Sequence, residues 1–416
     1  MKLLQTFLII TFSLSAVWAQ GNTDKILEQA RNAIADNKYS EANGFYQDGM
    51  KAVADANGDE EEYNKIKAEW EKLEAINVLM ADGTREYGRA NHDEAIAKFN
   101  AAYEKMASYQ NTIWAYGQAE AKYSAGMVYR SKNNTLRAAN YFVEARTLYP
   151  KERKYEQALA NIRNNHYNEG NKLFRIKDYE GAKREYLQSV KVDPEFSNSF
   201  NQLAMIAKRD GDDAAAESYY KSAVNFSPDF YKAWYGLGLL YHDKGDNRNA
   251  IKALKECVRV QPDYYKAHYI LGKVYESEKN YDQAKKYLIE ALKYEKQYAR
   301  ANSLLAQIYN DEKDYNATIE LLSSAKGEGV DYKTYYYLAQ AYNATQAYDK
   351  ALTAVNTSLA QKKNWAPSLM EKGDALVGLE RPKEAITVFK LAGSKDARYK
   401  ATADYRINEL TKWANK

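Results

Sequence analysis

The sequence predicts an all-α chain in which about ten helix pairs stack into a solenoid closed by a C-terminal capping helix. Three observations predict it. The first is a 34-residue period: FYKAWYGLGLLYHDKGDNRNAIKALKECVRVQPD (230–263) aligns with YYKAHYILGKVYESEKNYDQAKKYLIEALKYEKQ (264–297) at the apolar and small positions. The second is a set of three columns in that period from which large side chains are missing. The third is proline, of which the chain has only 6. None falls in an expected helix interior, where one would cost about 3 kcal/mol. A single hydrophobic core does not extend over 416 residues, but a repeat array has no such limit, because each unit packs only on its neighbours.

Taken from the start, residues 1–19 read as a secretory signal. Lys2 supplies the positive start, Leu3 to Val17 an apolar stretch, and Val17-Trp18-Ala19 a site for cutting ahead of Gln20. The stretch is short for a transmembrane helix, although an uncleaved membrane anchor is the competing reading. No cysteine follows it to carry a lipid. The mature chain is expected to be exported, in a bacterial periplasm or outside the cell (secreted or surface-associated), with no stable transmembrane segment after cleavage.

Repeats begin at 23, 76, 119, 163, 197, 231, 265, 299, 332 and 366. Position 8 is then Ala30, Gly83, Gly126, Gly170, Ala204, Gly238, Gly272, Ala306, Ala339 and Gly373. Position 20 is Ala42, Ala95, Ala138, Ala182, Ala216, Ala250, Ala284, Thr318, Ala351 and Ala385. Position 27 is Gly49, Ala102, Ala145, Ser189, Ala223, Cys257, Ala291, Ala325, Ser358 and Ala392. Small residues there let helix axes approach, and a bulky one would cost about 1–3 kcal/mol. Positions 4, 7, 8 and 11 give the first helix of each repeat its i, i+3, i+4, i+7 stripe. Large residues at 4, 7, 11 and 24 are expected to fill the space between repeats. Pro150, Pro194, Pro228 and Pro262 fall at position 32, where the second helix must stop, and Pro367 and Pro382 fall in or beside first turns.

The regular array of seven repeats spans 163–398. Residues 20–162 are irregular, with extra residues at 57–75, 110–118 and 153–162. The segment 58–75 still reads as helix, so the first helix of the second repeat is expected to be long. Residues 399–416 carry one apolar stripe, Tyr399, Ala403, Ile407 and Leu410, suited to a capping helix over the last core face.

This pattern, with Tyr at position 11, Ala at 20 and Pro at 32, resembles the tetratricopeptide repeat over nearly the whole mature chain. The resemblance implies a right-handed superhelix that binds proteins or peptides, with positions 2, 5, 9, 12 and 13 of the first helices lining a groove. The candidate groove residues are Asn171, Asn201, Lys232, Tyr235, Lys266, Tyr269, Arg300, Lys333 and Tyr336. Lys232, Lys266, Arg300 and Lys333 form a basic row at position 2 that could pair with carboxylates. The family's carboxylate clamp is matched at three of five places, by Asn171, Asn201 and Lys232, whereas Tyr167 and Gly236 replace its first Lys and its Arg.

Other chemistries find little here. Without Lys2 the balance is 59 basic against 56 acidic side chains, or +3, which leaves no nucleic-acid footprint. There is no phosphate loop, dinucleotide fingerprint or nucleophile elbow, and the 4 His form no zinc pattern. The single Cys257 excludes an intramolecular disulfide and falls in a small-residue column. The expected function is a non-catalytic protein- or peptide-binding adaptor of the cell envelope, with no cofactor or metal. The alternative is an envelope protein that binds peptidoglycan or carbohydrate through a Tyr- and Asn-rich groove.

Overall fold

The computed structural model describes residues 22–414 apart from 37, 57 and 324–329. The leader 1–19 and Ala325 therefore lie outside the described residues. The chain divides into two compact units, 1–199 and 200–416. In the first unit α1 (22–35) is followed by α2 (Tyr39–Asp55), α3 (Glu60–Gly88), α4 (His92–Ser108), α5 (Ala115–Ser131), α6 (Thr135–Leu148), α7 (Arg153–Arg175) and α8 (Tyr179–Val192). The division falls in the first turn of α9 (Ser197–Arg209). The second unit continues with α10 (Asp213–Phe226), α11 (Tyr231–Asp243), α12 (Asn247–Val260), α13 (Tyr265–Ser277), α14 (Tyr281–Tyr294) and α15 (Ala299–Asp311). It ends with α16 (Tyr315–Ser323), α17 (Tyr332–Ala344), α18 (Tyr348–Gln361), α19 (Ala366–Gly378), α20 (Pro382–Lys395) and α21 (Lys400–Ala414). No strand occurs among the described residues.

These helices make ten pairs and a cap. The extra residues of the first unit lengthen first helices: α3 runs for 29 residues and α7 for 23. Residues 112–114 form a short 3-10 turn leading into α5. In the second unit α11 packs on α12, α12 on α13, α13 on α14 and α14 on α15. First helices of successive repeats also touch, α11 with α13, α13 with α15, α15 with α17 and α17 with α19.

The turn inside each repeat has a local cause. Position 15 is left-handed in nine repeats: Ala90, Asn133, Lys177, Gly211, Gly245, Lys279, Lys313, Gln346 and Glu380, with φ between 56° and 80°. Only two of these are glycine. In six of these repeats the next residue then serves two helices. The Asp246 N–H donates to the Tyr241 carbonyl at 2.9 Å and closes the end of α11. Its carboxylate accepts from the Asn249 N–H at 3.1 Å and caps the start of α12. Asn134, Asp178, Asp212, Asn280 and Asp314 cap in the same way.

The small-residue columns are the contacts between rods. Every described residue at positions 8, 20 and 27 is buried. A Cβ on Gly238 would sit 2.6 Å from Leu254 Cγ, and one on Gly272 2.7 Å from Leu288 Cγ. Gly83, Gly126, Gly170 and Gly373 meet Phe99, Phe142, Tyr186 and Phe389 likewise. This widens the role expected for position 24. It presses on position 8 of its own repeat, where the shared pair fixes the distance between the two helices, and it also reaches the next repeat where Tyr220 covers Gly236. Cys257 is fully buried in column 27, and burial pushes its thiol up to about 12.

Polar residues in these columns are matched to partners. The Thr318 hydroxyl lies 2.6 Å from Asn310 Oδ1. Ser358 Oγ meets Ser368 Oγ at 2.7 Å, and Ser199 donates to Ser189 at 2.9 Å. Pro367 and Pro382 stand in the first turns of α19 and α20 as expected. Ala403 and Leu410 of α21 are buried against Phe389 and Leu376, with Ile407 and Tyr399 packed beside them.

Two substitutions check this packing. Ala284→Leu forces a large side chain into a fully buried column and should cost about 1–3 kcal/mol, read as a lower midpoint in chemical unfolding. Lys279→Gly relieves a left-handed non-glycine residue with φ 58° and should raise stability by up to about 1 kcal/mol in the same assay.

Candidate functional site

A face of each first helix carries positions 2, 5, 9 and 12, spaced so that they stack one above another. Lys232, Lys266, Arg300 and Lys333 occupy the first turns of α11, α13, α15 and α17, and all four are exposed. The amino end of a helix is positive, so a first-turn cation is unfavourable there. None of the four has an ion-pair partner among the described residues. Lys232 lies 5.9 Å from the centre of the Tyr231 ring and Lys266 5.8 Å from that of Tyr265, contacts that leave the charges themselves unneutralised.

The tyrosines at position 5 are placed differently from what the sequence suggested. Tyr235 packs edge-on against Tyr264 at 5.1 Å, Tyr269 against Tyr298 at 5.2 Å and Tyr336 against Trp365 at 5.0 Å. Each partner ring precedes the next first helix and also meets a position 1 tyrosine: Tyr231, Tyr265 or Tyr332. The three position 5 rings are half-buried, and burial raises their hydroxyl pKa values. They are walls between repeats rather than free platforms.

Other candidates are dispersed. Asn171, in the first unit, accepts a 2.8 Å hydrogen bond from the Tyr186 hydroxyl. Asn201 is buried, with its amide nitrogen 3.8 Å from Met205 Sδ. Gly236, which departs from the clamp pattern, lies under the Tyr220 ring, where a Cβ would collide.

One cleft gathers three of the candidates. It has a volume of about 230 Å³ and joins Tyr269, Arg300 and Lys333 to Lys273, Glu276 and Gln307. Lys273, Glu276 and Gln307 sit at positions 9, 12 and 9 of their repeats. The position numbers pointed to this face, but the residue types there vary too much to stand out from sequence. Ser303, also in the cleft, donates to Asp331 Oδ1 at 3.0 Å. Asp331 in turn caps α17 through the Thr334 N–H at 3.0 Å. The Tyr337 hydroxyl donates to Gln307 Oε1 at 3.0 Å. Lys273, Arg300 and Lys333 face two carboxylates here, an excess of one positive charge.

A second polar group lies at the end of the array. Glu371 Oε2 accepts from Asn343 Nδ2 at 2.9 Å, and Asp374 pairs with Arg406 of α21 at 3.4 Å. Burial pushes the Glu371 carboxyl up from 4.5 to about 7, and the Asp374 charge adds to the shift. The folded chain therefore holds this proton more tightly than the unfolded one, so stability is lost as pH rises from about 4.5 to about 7. Glu371→Gln should flatten that slope and stabilise the protein at pH 7.5, as measured by unfolding midpoints across pH.

Among the described residues no group of three His, Cys, Asp or Glu is placed to hold a metal ion, and no helix is long and apolar enough to cross a membrane. Family models described as tetratricopeptide repeat match residues 197–230 and 241–308. No curated protein matches the chain. Among solved structures, the Cut9–Hcn1 hetero-tetramer of the APC/C is 14% identical, with 98% of this chain and 94% of that one covered and a TM-score of 0.42. Pseudomonas aeruginosa pilF is 15% identical, covering 50% and 96%, at a TM-score of 0.44. A tetratricopeptide repeat protein from Parabacteroides merdae ATCC 43184 is 16% identical, covering 60% and 98%, at 0.40. With helix pairs that repeat within each unit, small residues buried at the described column positions and two matching repeat models, this chain carries tetratricopeptide repeats.

Proposed function

We propose that this chain is a non-catalytic adaptor of the bacterial cell envelope that holds protein partners on the shared face of α11, α13, α15 and α17. Tetratricopeptide repeat proteins generally serve as protein-interaction scaffolds. The finer reading is carried by one observation: the row Lys232, Lys266, Arg300 and Lys333, set where the helix dipoles oppose it, without an ion pair among the described residues, and in the cleft in excess over the carboxylates of Glu276 and Asp331. A partner bearing carboxylates supplies what the row lacks, and charge-assisted hydrogen bonds of that kind contribute about 1.5–3 kcal/mol each. The envelope location rests on the leader 1–19 alone. The carbohydrate alternative loses its motive, because Tyr235, Tyr269 and Tyr336 already have their rings against neighbouring aromatics.

Photocrosslinking in the native envelope tests this reading. A photoreactive residue at Gln307, in the cleft, should capture discrete proteins, whereas one at the exposed Lys286 of α14 should not. Reversing Arg300 and Lys333 together to Glu should cut the Gln307 capture at least about ten-fold, a loss of about 1.4 kcal/mol. Equal capture from both sites, or capture indifferent to the reversal, contradicts the adaptor.

A further inference from the structure

We propose that the partner segment seated on this face is an α-helix with acidic residues along one flank and basic residues along the other, each flank repeating every seven residues. This rests on the reading of the face as the binding surface and names what the face takes.

The face has two rims of opposite charge. α13 carries Lys266 in its first turn and Glu276 in its last, and α15 carries Arg300 and Asp311 in the same way. Ten or eleven residues separate each pair, about 15–16 Å at 1.5 Å per residue. Glu276 is half-buried and Asp311 exposed, and neither has an ion-pair partner among the described residues. Both lie close to Tyr337, whose hydroxyl is pushed up to about 12 by burial first and then by the charges of Asp311, Asp331 and Glu276. On the basic side Lys232 and Lys333 extend the rim to α11 and α17. Asp243, the acid of α11, is already held by Lys208 at 2.6 Å and by His242 at 3.1 Å. The free acidic rim is therefore confined to α13 and α15.

Width and period then choose the occupant. A helix with its side chains is about 10–12 Å across, which fills the gap between rims about 15 Å apart. The first helices touch one another, so their axes stand about 8–10 Å apart. Seven residues of a bound helix rise about 10.5 Å, nearly one spacing. A strand offers side chains on one flank every 6.6 Å or so, which falls out of step by the second helix. An acidic residue every seventh position thus meets Lys232, Lys266, Arg300 and Lys333 in turn. Basic residues on the opposite flank meet Glu276 and Asp311. The floor between them holds Tyr269, Gln307 and Lys273, and takes an amide or one further carboxylate from the underside of the bound helix.

Three synthetic peptides of about 25 residues test this against the full chain, by fluorescence anisotropy at 0.15 M salt. The first carries Glu at four successive seventh positions on one flank and Lys at two on the other. The second has the same composition with the charges mixed around the helix, and the third is the first with a central proline. The ordered peptide should bind at least about ten-fold more tightly than either control, and Arg300→Glu should remove that advantage. Equal binding of the mixed peptide, equal binding of the proline peptide, or no binding by any of them overturns the inference. Gln307 crosslinking that still depends on Arg300 and Lys333 would then leave the adaptor standing and sink only the helical, two-flanked ligand.

Discussion

The fold depends on how closely two helices approach within one repeat. That distance is set where a glycine or alanine at position 8 lies beneath a bulky side chain at position 24, as Gly272 does beneath Leu288 and Gly373 beneath Phe389. The contact is backbone against side chain, so it admits little variation. Removing a buried ring such as Phe389 would cost about 3–5 kcal/mol, because the rods cannot collapse to fill the gap. Uniform rod spacing in turn makes the first-turn cations a row with a regular interval. The geometry of the binding face is thus inherited from contacts that the partner never touches.

The turns add a second constraint. Nine place a left-handed residue at position 15, and in six of them (Asn134, Asp178, Asp212, Asp246, Asn280 and Asp314) the N–H of position 16 ends one helix while its side chain begins the next. Two helix ends are satisfied by one residue. This explains why Lys177, Lys279 and Lys313 are tolerated in a conformation that glycine adopts more readily. The hydrogen bonds on either side hold the turn, and the strain at the lysine is smaller than what they contribute.

Much of this was legible in the sequence, because small residues at fixed intervals are a direct record of close approach. The ten pairs, the long α3 and the capping α21 follow from that record and from apolar spacing. Position 24 was assigned only one of its neighbours, since a period says that a large residue is needed without saying which helices it meets. The tyrosines failed for a related reason. Tyr235 and Tyr269 sit at groove positions by number, but Tyr264 and Tyr298, each at the end of its repeat, cover them. Only the angle between consecutive repeats reveals that. The link from Arg406 to Asp374 was equally hidden, because it depends on the direction in which α21 lies across the last pair. The basic row was visible because nothing covers it.

The serines at position 27 have a consequence for how the array is ordered. Ser358 reaches Ser368, the third residue of the following repeat, and Ser189 reaches Ser199. Where position 27 is Ala223 or Cys257, the facing residue is Ala233 or Ala267, which needs no hydroxyl. Hydroxyl meets hydroxyl in the two serine seams, and a methyl or the Cys257 thiol meets a methyl in the others. A transposed repeat would strand one buried polar atom at each mismatched junction, at about 1–3 kcal/mol apiece. Units of similar shape are therefore not freely interchangeable, and their sequence of assembly is written into the seams.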